Sequence, residues 1–297
     1  MKKLISLALA MTMALSLTAC GGSGGASSTG VAASAAASSA SSAASSAPAA
    51  EPVELFVFAA ASLTESMDRI IASYTADHPE VTITPTYDSS GTLLKQIKEV
   101  AVCDLFISAA PKQINALDGT LKDDTDKNPD GLDMLAEGTR INLLENKVTL
   151  AVPEGNPGNV ESFDQLAQRL LNDDVMLAMG NSDVPVGQYT QKIFAYYGID
   201  EAAIATNLTY GSNVKEVTTQ VSEGAVDCGI IYGTDAFSAG LTMVDEATAE
   251  MCGQVIYPAA VLKDSANPDA AAEFLNYLAA ADGGAPVFES VGFTMMK

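Results

Sequence analysis

Tryptophan is absent from this 297-residue chain, histidine occurs once, and 15 basic residues stand against 37 acidic ones. The lone histidine lies in the turn-like Asp77-His78-Pro79-Glu80. It excludes a multi-histidine metal cluster and leaves histidine-dependent catalysis without support. The shortage of Lys and Arg argues against nucleic acid as a partner. With Lys2 and Lys3 set aside as part of a leader, 13 basic against 37 acidic residues leave a net of −24. Such a surface keeps an exported protein soluble and repels small anions at long range, so any anion site must work through local donors. Cysteine is sparse: besides Cys20 there are Cys103, Cys228 and Cys252, an odd number that leaves at least one thiol unpaired. Cys103 and Cys228 precede apolar runs and suit small buried positions, and one bridge, Cys228 to Cys252, remains open.

Met1 to Cys20 has the parts of an export signal: Lys2-Lys3, an apolar stretch from Leu4 to Leu17, then Leu17-Thr18-Ala19-Cys20. The stretch is too short for a membrane span. Its last four residues resemble the lipobox of bacterial lipoproteins, in which the cysteine is lipidated and becomes the mature N-terminus; Cys20 is the candidate anchor. Residues 21–50 are almost wholly Gly, Ala and Ser and read as a tether that cannot build a core. Gly21-Gly22-Ser23-Gly24-Gly25 matches a hydrolase elbow in letters only, because no strand or helix flanks it.

From Glu51 onward the chain has core-forming material, at 48% hydrophobic and 18% charged over the whole sequence. Strand-like runs at Val53 to Ala59, Val81 to Tyr87, Asp104 to Ser108, Lys147 to Val152, Val175 to Ala178, Gly229 to Tyr232 and Val255 to Leu262 alternate with helical patterns. The clearest of these are 187–197, 214–223 and 268–280. Alternation of this kind predicts α/β architecture with mainly parallel sheets flanked by helices. So many crossovers in roughly 245 residues predict two lobes with a cleft between them. The expected division is 51–148 for the first part of lobe 1, 149–257 for lobe 2, and 258–297 for a segment returning to lobe 1.

Several helix starts carry small or hydroxyl residues where backbone N–H groups lack intrahelical partners, which makes them anion sites. Ala59-Ala60-Ala61-Ser62-Leu63-Thr64-Glu65 places Ser62 as N-cap with Glu65 three residues on, as in a capping box. Ser89-Ser90-Gly91-Thr92-Leu93, Val184-Pro185-Val186-Gly187-Gln188-Tyr189 and Gly211-Ser212-Asn213-Val214-Lys215 open further helices. Taken singly, each has an ordinary reading as a stability cap.

In that order, together with Asp104-Leu105-Phe106-Ile107-Ser108-Ala109, Gly229-Ile230-Ile231-Tyr232-Gly233-Thr234-Asp235-Ala236 and Gly292-Phe293-Thr294, the chain resembles the molybdate-binding proteins of bacterial ABC transporters from Val53 to Lys297. The resemblance implies a class II periplasmic-binding-protein fold whose cleft holds an oxyanion, molybdate or tungstate, without a charged side chain. By position the ligands are the hydroxyl and N–H of Ser62 and Ser90, the N–H of Val186 and Val214, and the Tyr232 hydroxyl. Gly91 departs from the family's frequent third serine, and Val186 from its frequent alanine. The resemblance also implies no cofactor and no catalysis. Its partners would be a membrane permease with its ATPase, met by a lipid-anchored, monomeric receptor on the outer (or periplasmic) face of the cell membrane.

Neutral hydrogen bonds to a charged acceptor contribute roughly 1.5–3 kcal/mol each. About seven such donors with four helix N-termini offset the burial of a dianion. A site made only of donors rejects protonated phosphate, whose O–H would face N–H groups, whereas sulfate is separated from molybdate by cavity size alone. Two rivals stand beside this reading: a receptor for sulfate or another tetrahedral oxyanion, and a surface esterase using Ser62 or Ser90, which would need a base. A scaffold or adhesion role would leave the helix-start motifs without purpose. Asp126 to Glu137 fits the letters of a calcium loop, but Pro129 interrupts it and no helix enters it, so an acidic surface turn is the expectation.

Overall fold

The computed structural model describes Glu51–Met296. The expected signal segment, Cys20, the tether and the terminal Lys297 lie outside the described residues. Among the described residues no helix is long and apolar enough to cross a membrane.

The chain begins with β1 (Val53–Ala60), a 3-10 turn (Ala61–Leu63), α1 (Thr64–Asp77), β2 (Val81–Asp88), α2 (Ser90–Lys98), β3 (Leu105–Ile107), α3 (Pro111–Asn115) and β4 (Ile141–Asn146). It continues through β5 (Val148–Val152), α4 (Phe163–Leu171), β6 (Leu177–Gly180), α5 (Pro185–Tyr197), β7 (Leu208–Gly211), α6 (Val214–Ser222), β8 (Cys228–Tyr232), α7 (Gly233–Ser238) and β9 (Thr242–Glu246). The last part holds α8 (Ala249–Cys252), β10 (Val255–Val261), α9 (Pro268–Ala279), α10 (Ala285–Ser290) and β11 (Thr294–Met295).

Two sheets result, ordered β11-β4-β10-β3-β1-β2 and β7-β6-β8-β5-β9. The expected two-lobed α/β architecture is present, but both sheets are mixed rather than mainly parallel. β1 pairs parallel with β2 and β3, while β10 runs antiparallel to β3 and β4. In the second sheet β6 is parallel to β7 and β8, while β5 is antiparallel to β8 and β9. The antiparallel pairs arise because the chain crosses between lobes twice, first through Lys147 and again between Glu246 and Val255. A strand arriving from the other lobe is not bound to the parallel direction that a βαβ crossover imposes. The return to the first sheet therefore falls ahead of the expected residue 258, since Val255–Tyr257 already pair with β4.

Strand alternation decides what each face of the first sheet covers. Leu55, Val57 and Ala59 of β1 join Met67, Ile70 and Tyr74 of α1 and Phe274 and Leu278 of α9 in the main core. Phe58 and Phe106 point the other way, into a smaller cluster with Leu93 and Ile97 of α2 and Ile114 of α3. Each fully buried side chain of this kind contributes about 1.5–3 kcal/mol. α1 and α2 are thereby held on opposite faces with their N-termini near the ends of β1 and β2, which is what positions the site.

Cys103, Cys228 and Cys252 are all buried and free, so the Cys228 to Cys252 bridge is not formed. Burial pushes the Cys103 thiol up to about 12 and the Cys228 thiol higher still, which leaves both unreactive at neutral pH. In the acidic loop, Asp124, Asp130 and Asp133 each pair with a lysine: Lys127, Lys98 and Lys263. Asn128 is fully buried and bonds the backbone at Asp118 and Leu132. Asp124, Asp130 and Asp133 are thus engaged in ion pairs rather than gathered around a common point. His78 stacks on Tyr74, with ring centroids 4.2 Å apart, and caps the C-terminal end of α1, the opposite end from Ser62.

Candidate functional site

Residues from both lobes meet around a small hollow of about 10 Å³. Ala60, Ala61, Ser62, Ser90 and Ala109 line it from the first lobe, and Val184, Pro185, Val186, Val214 and Tyr232 from the second. All five residues named from the sequence, Ser62, Ser90, Val186, Val214 and Tyr232, thus face one hollow. No Lys, Arg, His, Asp or Glu lines it. Larger hollows lie elsewhere, among them a groove of about 460 Å³ with Lys112, Lys127 and Lys192 on its walls.

Local structure explains the donors. Ser90 is the first residue of α2, Val186 the second of α5 after Pro185, and Val214 the first of α6; Ser62 lies in the 3-10 turn that leads into α1. N–H groups in these opening positions have no intrahelical acceptor, and the helix dipoles add partial positive charge there. Ser89 and Asn213 are the true caps of α2 and α6, accepting from Thr92 and Glu216. The expected Ser62–Glu65 capping box does not form. Leu63 is the N-cap of α1 and bonds nothing with its side chain, because the 3-10 turn shifts the helix start past Ser62. Both residues are used otherwise.

The hydroxyl orientations follow from their partners. Ser90 Oγ accepts from the Ala109 N–H at 2.9 Å, which leaves its own proton free. Ser62 Oγ is 2.9 Å from the Tyr257 hydroxyl, and that hydroxyl accepts from Asn146 Nδ2 at 3.2 Å. Asn146 Nδ2 also donates to Thr234 Oγ1 at 2.8 Å, while Asn146 Oδ1 accepts the N–H of Lys147. With Asn146 donating to it, the Tyr257 hydroxyl can donate in turn to Ser62, freeing the serine proton as well. Tyr257 reaches this place at an irregularity: the β10–β4 register slips between Tyr257 and Pro258, a proline with no N–H for the ladder. Asn146 stands where the chain passes between lobes, so it ties the crossover to the serine.

Tyr232 is the exception to this satisfied network. It is 1% exposed, packs edge-on against Tyr189 and Tyr257, and its hydroxyl, beside that of Tyr257, has no well-aligned hydrogen-bond partner. Burial holds its pKa well above the usual phenol value, so the group keeps its proton and can only donate or accept as neutral O–H. Asn146, Tyr257, Thr234 and Ala109 were not singled out from the sequence. Only Ser108-Ala109 and Thr234 fell inside noted motifs, and nothing local marks a buried Asn at a strand end.

Gly91 explains a departure noted in the sequence. A Cβ at this position would stand 2.2 Å from the carbonyl oxygen of Asp183 in the other lobe. A serine there requires the lobes to part, so glycine permits the close approach. Beside it Lys95 reaches Asp183 at 2.6 Å across the same gap.

A two-lobed α/β chain with an uncharged, donor-lined hollow between its lobes defines a receptor for a small solute. The chain belongs to the family of bacterial extracellular solute-binding proteins, which matches residues 55–294. It is 34% identical over 244 residues to YvgL of Bacillus subtilis, which is named as a substrate-binding lipoprotein of an ABC transporter; the match covers 82% of this chain and 86% of that protein. It is 28% identical over 249 residues to the molybdate-binding protein ModA of Haemophilus influenzae, covering 82% and 91%. Among solved structures, one described as the substrate-binding domain of a molybdenum ABC transporter from Clostridium difficile superposes with a TM-score of 0.59 at 29% identity, covering 82% of this chain and all of that one. The likeness to molybdate-binding proteins read from the motifs therefore extends over the whole described fold.

Proposed function

We propose that this protein captures molybdate, and also tungstate, in the hollow between its lobes and delivers it to the permease and ATPase of an ABC importer. It would do so from a lipid anchor at Cys20, without catalysis. The observation that carries the reading is the Tyr232 hydroxyl: a buried polar group left unpartnered costs roughly 1–3 kcal/mol, and it lines a hollow that otherwise offers free N–H and O–H donors. An acceptor-only ligand satisfies all of them together. The hollow's roughly 10 Å³ is far below the roughly 300 Å³ of pockets that take drug-sized organic molecules, which favours a compact solute. The relatives named for molybdate support the same ligand.

The esterase reading finds no base, because no titratable side chain except Tyr232 lines the hollow. Sulfate offers the same acceptors, and competition decides between the two. Calorimetry on the tether-free protein should show one site per chain for molybdate, displaced by tungstate and much less by sulfate or phosphate. Absence of any molybdate heat would overturn the reading, and tighter sulfate binding would pass it to the runner-up.

A further inference from the structure

Lys215 follows directly after Val214, and its place is electrostatically costly. It is the second residue of α6, where the helix dipole opposes a cation. Three contacts offset that cost. Lys215 Nζ lies 2.8 and 2.7 Å from the two carboxylate oxygens of Glu65, on α1 of the first lobe. It also lies 3.1 Å from Asp235 Oδ1, on α7 of its own lobe.

The two carboxylates differ in kind. The Asp235 side chain is fully buried, and neither of its oxygens receives a well-aligned hydrogen bond, so Lys215 is the cation that compensates it. Separating them would strand a buried charge, which is strongly unfavourable. The Glu65 side chain is about half exposed and can exchange Lys215 for water at little cost. Asp235 therefore fixes the ammonium within the second lobe whether the lobes are together or apart, and Glu65 meets it only when they are together.

We propose that Lys215 is a positioning residue that clasps the lobes. Anchored on Asp235, it grips Glu65 on closure and so holds the Val214 N–H against the anion. The clasp rests on the binding reading above only for its link to the anion; its hold on the lobes can be measured without one. The Lys95–Asp183 pair spans the same gap but has both side chains more than half exposed and no buried anchor, so it serves as the control.

Spin labels on exposed positions of the two lobes, read by pulsed dipolar spectroscopy on the ligand-free protein, test the clasp first. Glu65→Gln and Lys215→Met should each shift the distance distribution towards longer separations, and the double variant should shift it no further than either single one. Lys95→Met should leave it nearly unchanged. Stopped-flow release of molybdate should then be roughly 3- to 5-fold faster in Glu65→Gln, with association unaltered and the melting temperature of the empty protein unchanged. Unshifted distances in Glu65→Gln, or additive shifts in the double variant, would overturn the clasp. If the wild type binds no molybdate, the ligand reading fails while the distances still decide the clasp. Unaltered release together with shifted distances would overturn its link to the anion.

Discussion

Two buried polar groups without well-formed hydrogen bonds lie close together in the second lobe, Tyr232 on β8 and Asp235 three residues later on α7. One is neutral and lines a hollow free of charged side chains; the other is an acid answered by Lys215. The contrast separates two ways of handling an anion. The protein's own carboxylate is balanced permanently by a cation, because nothing else will arrive to do so. The hollow is left with donors and no cation, because a full positive charge there would bind any passing anion, whereas aligned N–H and O–H groups select one that accepts at every vertex.

Removing the neutral member should have the largest effect on binding. Tyr232→Phe loses one donor to a charged acceptor and should weaken molybdate binding by about 1–3 kcal/mol, read by calorimetry. The same change deletes an unpartnered buried hydroxyl, so the empty protein should melt no lower than wild type. A joint loss of affinity and stability would show the hydroxyl to be structural instead. Gly91→Ala comes next: its methyl would run into the Asp183 carbonyl. Overpacking of this kind costs about 1–3 kcal/mol. Here it should appear as weaker anion binding and lobes held apart in solution scattering, with the melting point of the empty protein kept.

The charged member gives the smallest effect, and it is one of pH. Burial first, and the nearby Glu65 carboxylate less strongly, raise the Asp235 carboxyl to about 6, against the pull of Lys215. The buried Tyr257 and Tyr232 hydroxyls also face it. The folded chain holds this proton more tightly than the unfolded one, whose carboxyl titrates near 3.8. The group's stabilising contribution is then complete below about 4 and lost as pH rises through about 6. Asp235→Asn cannot titrate, so between pH 7.5 and pH 4.5 the melting temperature of wild type should gain on that of the variant. A constant difference would place the titration elsewhere.

Much of this arrangement was legible in the sequence, and the exceptions have physical causes. The five residues that share the hollow could be named because helix starts announce themselves through Ser, Asn, Pro and Gly, and because their order along the chain is specific. α4 was equally legible, with Phe163, Leu166, Ala167 and Leu170 buried at helical spacing behind the cap of Ser162, but it was passed over. β4, β7 and β9 were harder. Their sequences INLLEN, LTYG and TMVDE are short or polar, and they become strands because a neighbour supplies the ladder. Glu65 was read as a local cap, yet its carboxylate reaches 150 positions along the chain to Lys215. A capping pattern cannot foresee a partner of that kind. Asn146 and Tyr257 were missed for the same reason: their importance lies in contacts with distant parts of the chain, Ser62 and Thr234, written nowhere in their own neighbourhoods.

The most direct test is a crystal structure of the molybdate complex. The oxyanion should sit among Ser62, Ser90, Val186, Val214 and Tyr232, with every oxygen accepting from an amide or hydroxyl and no ammonium within hydrogen-bonding reach. Density for molybdate in the groove of Lys112, Lys127 and Lys192, or a lysine turned inward onto the bound ion, would contradict the claim that neutral donors alone hold it.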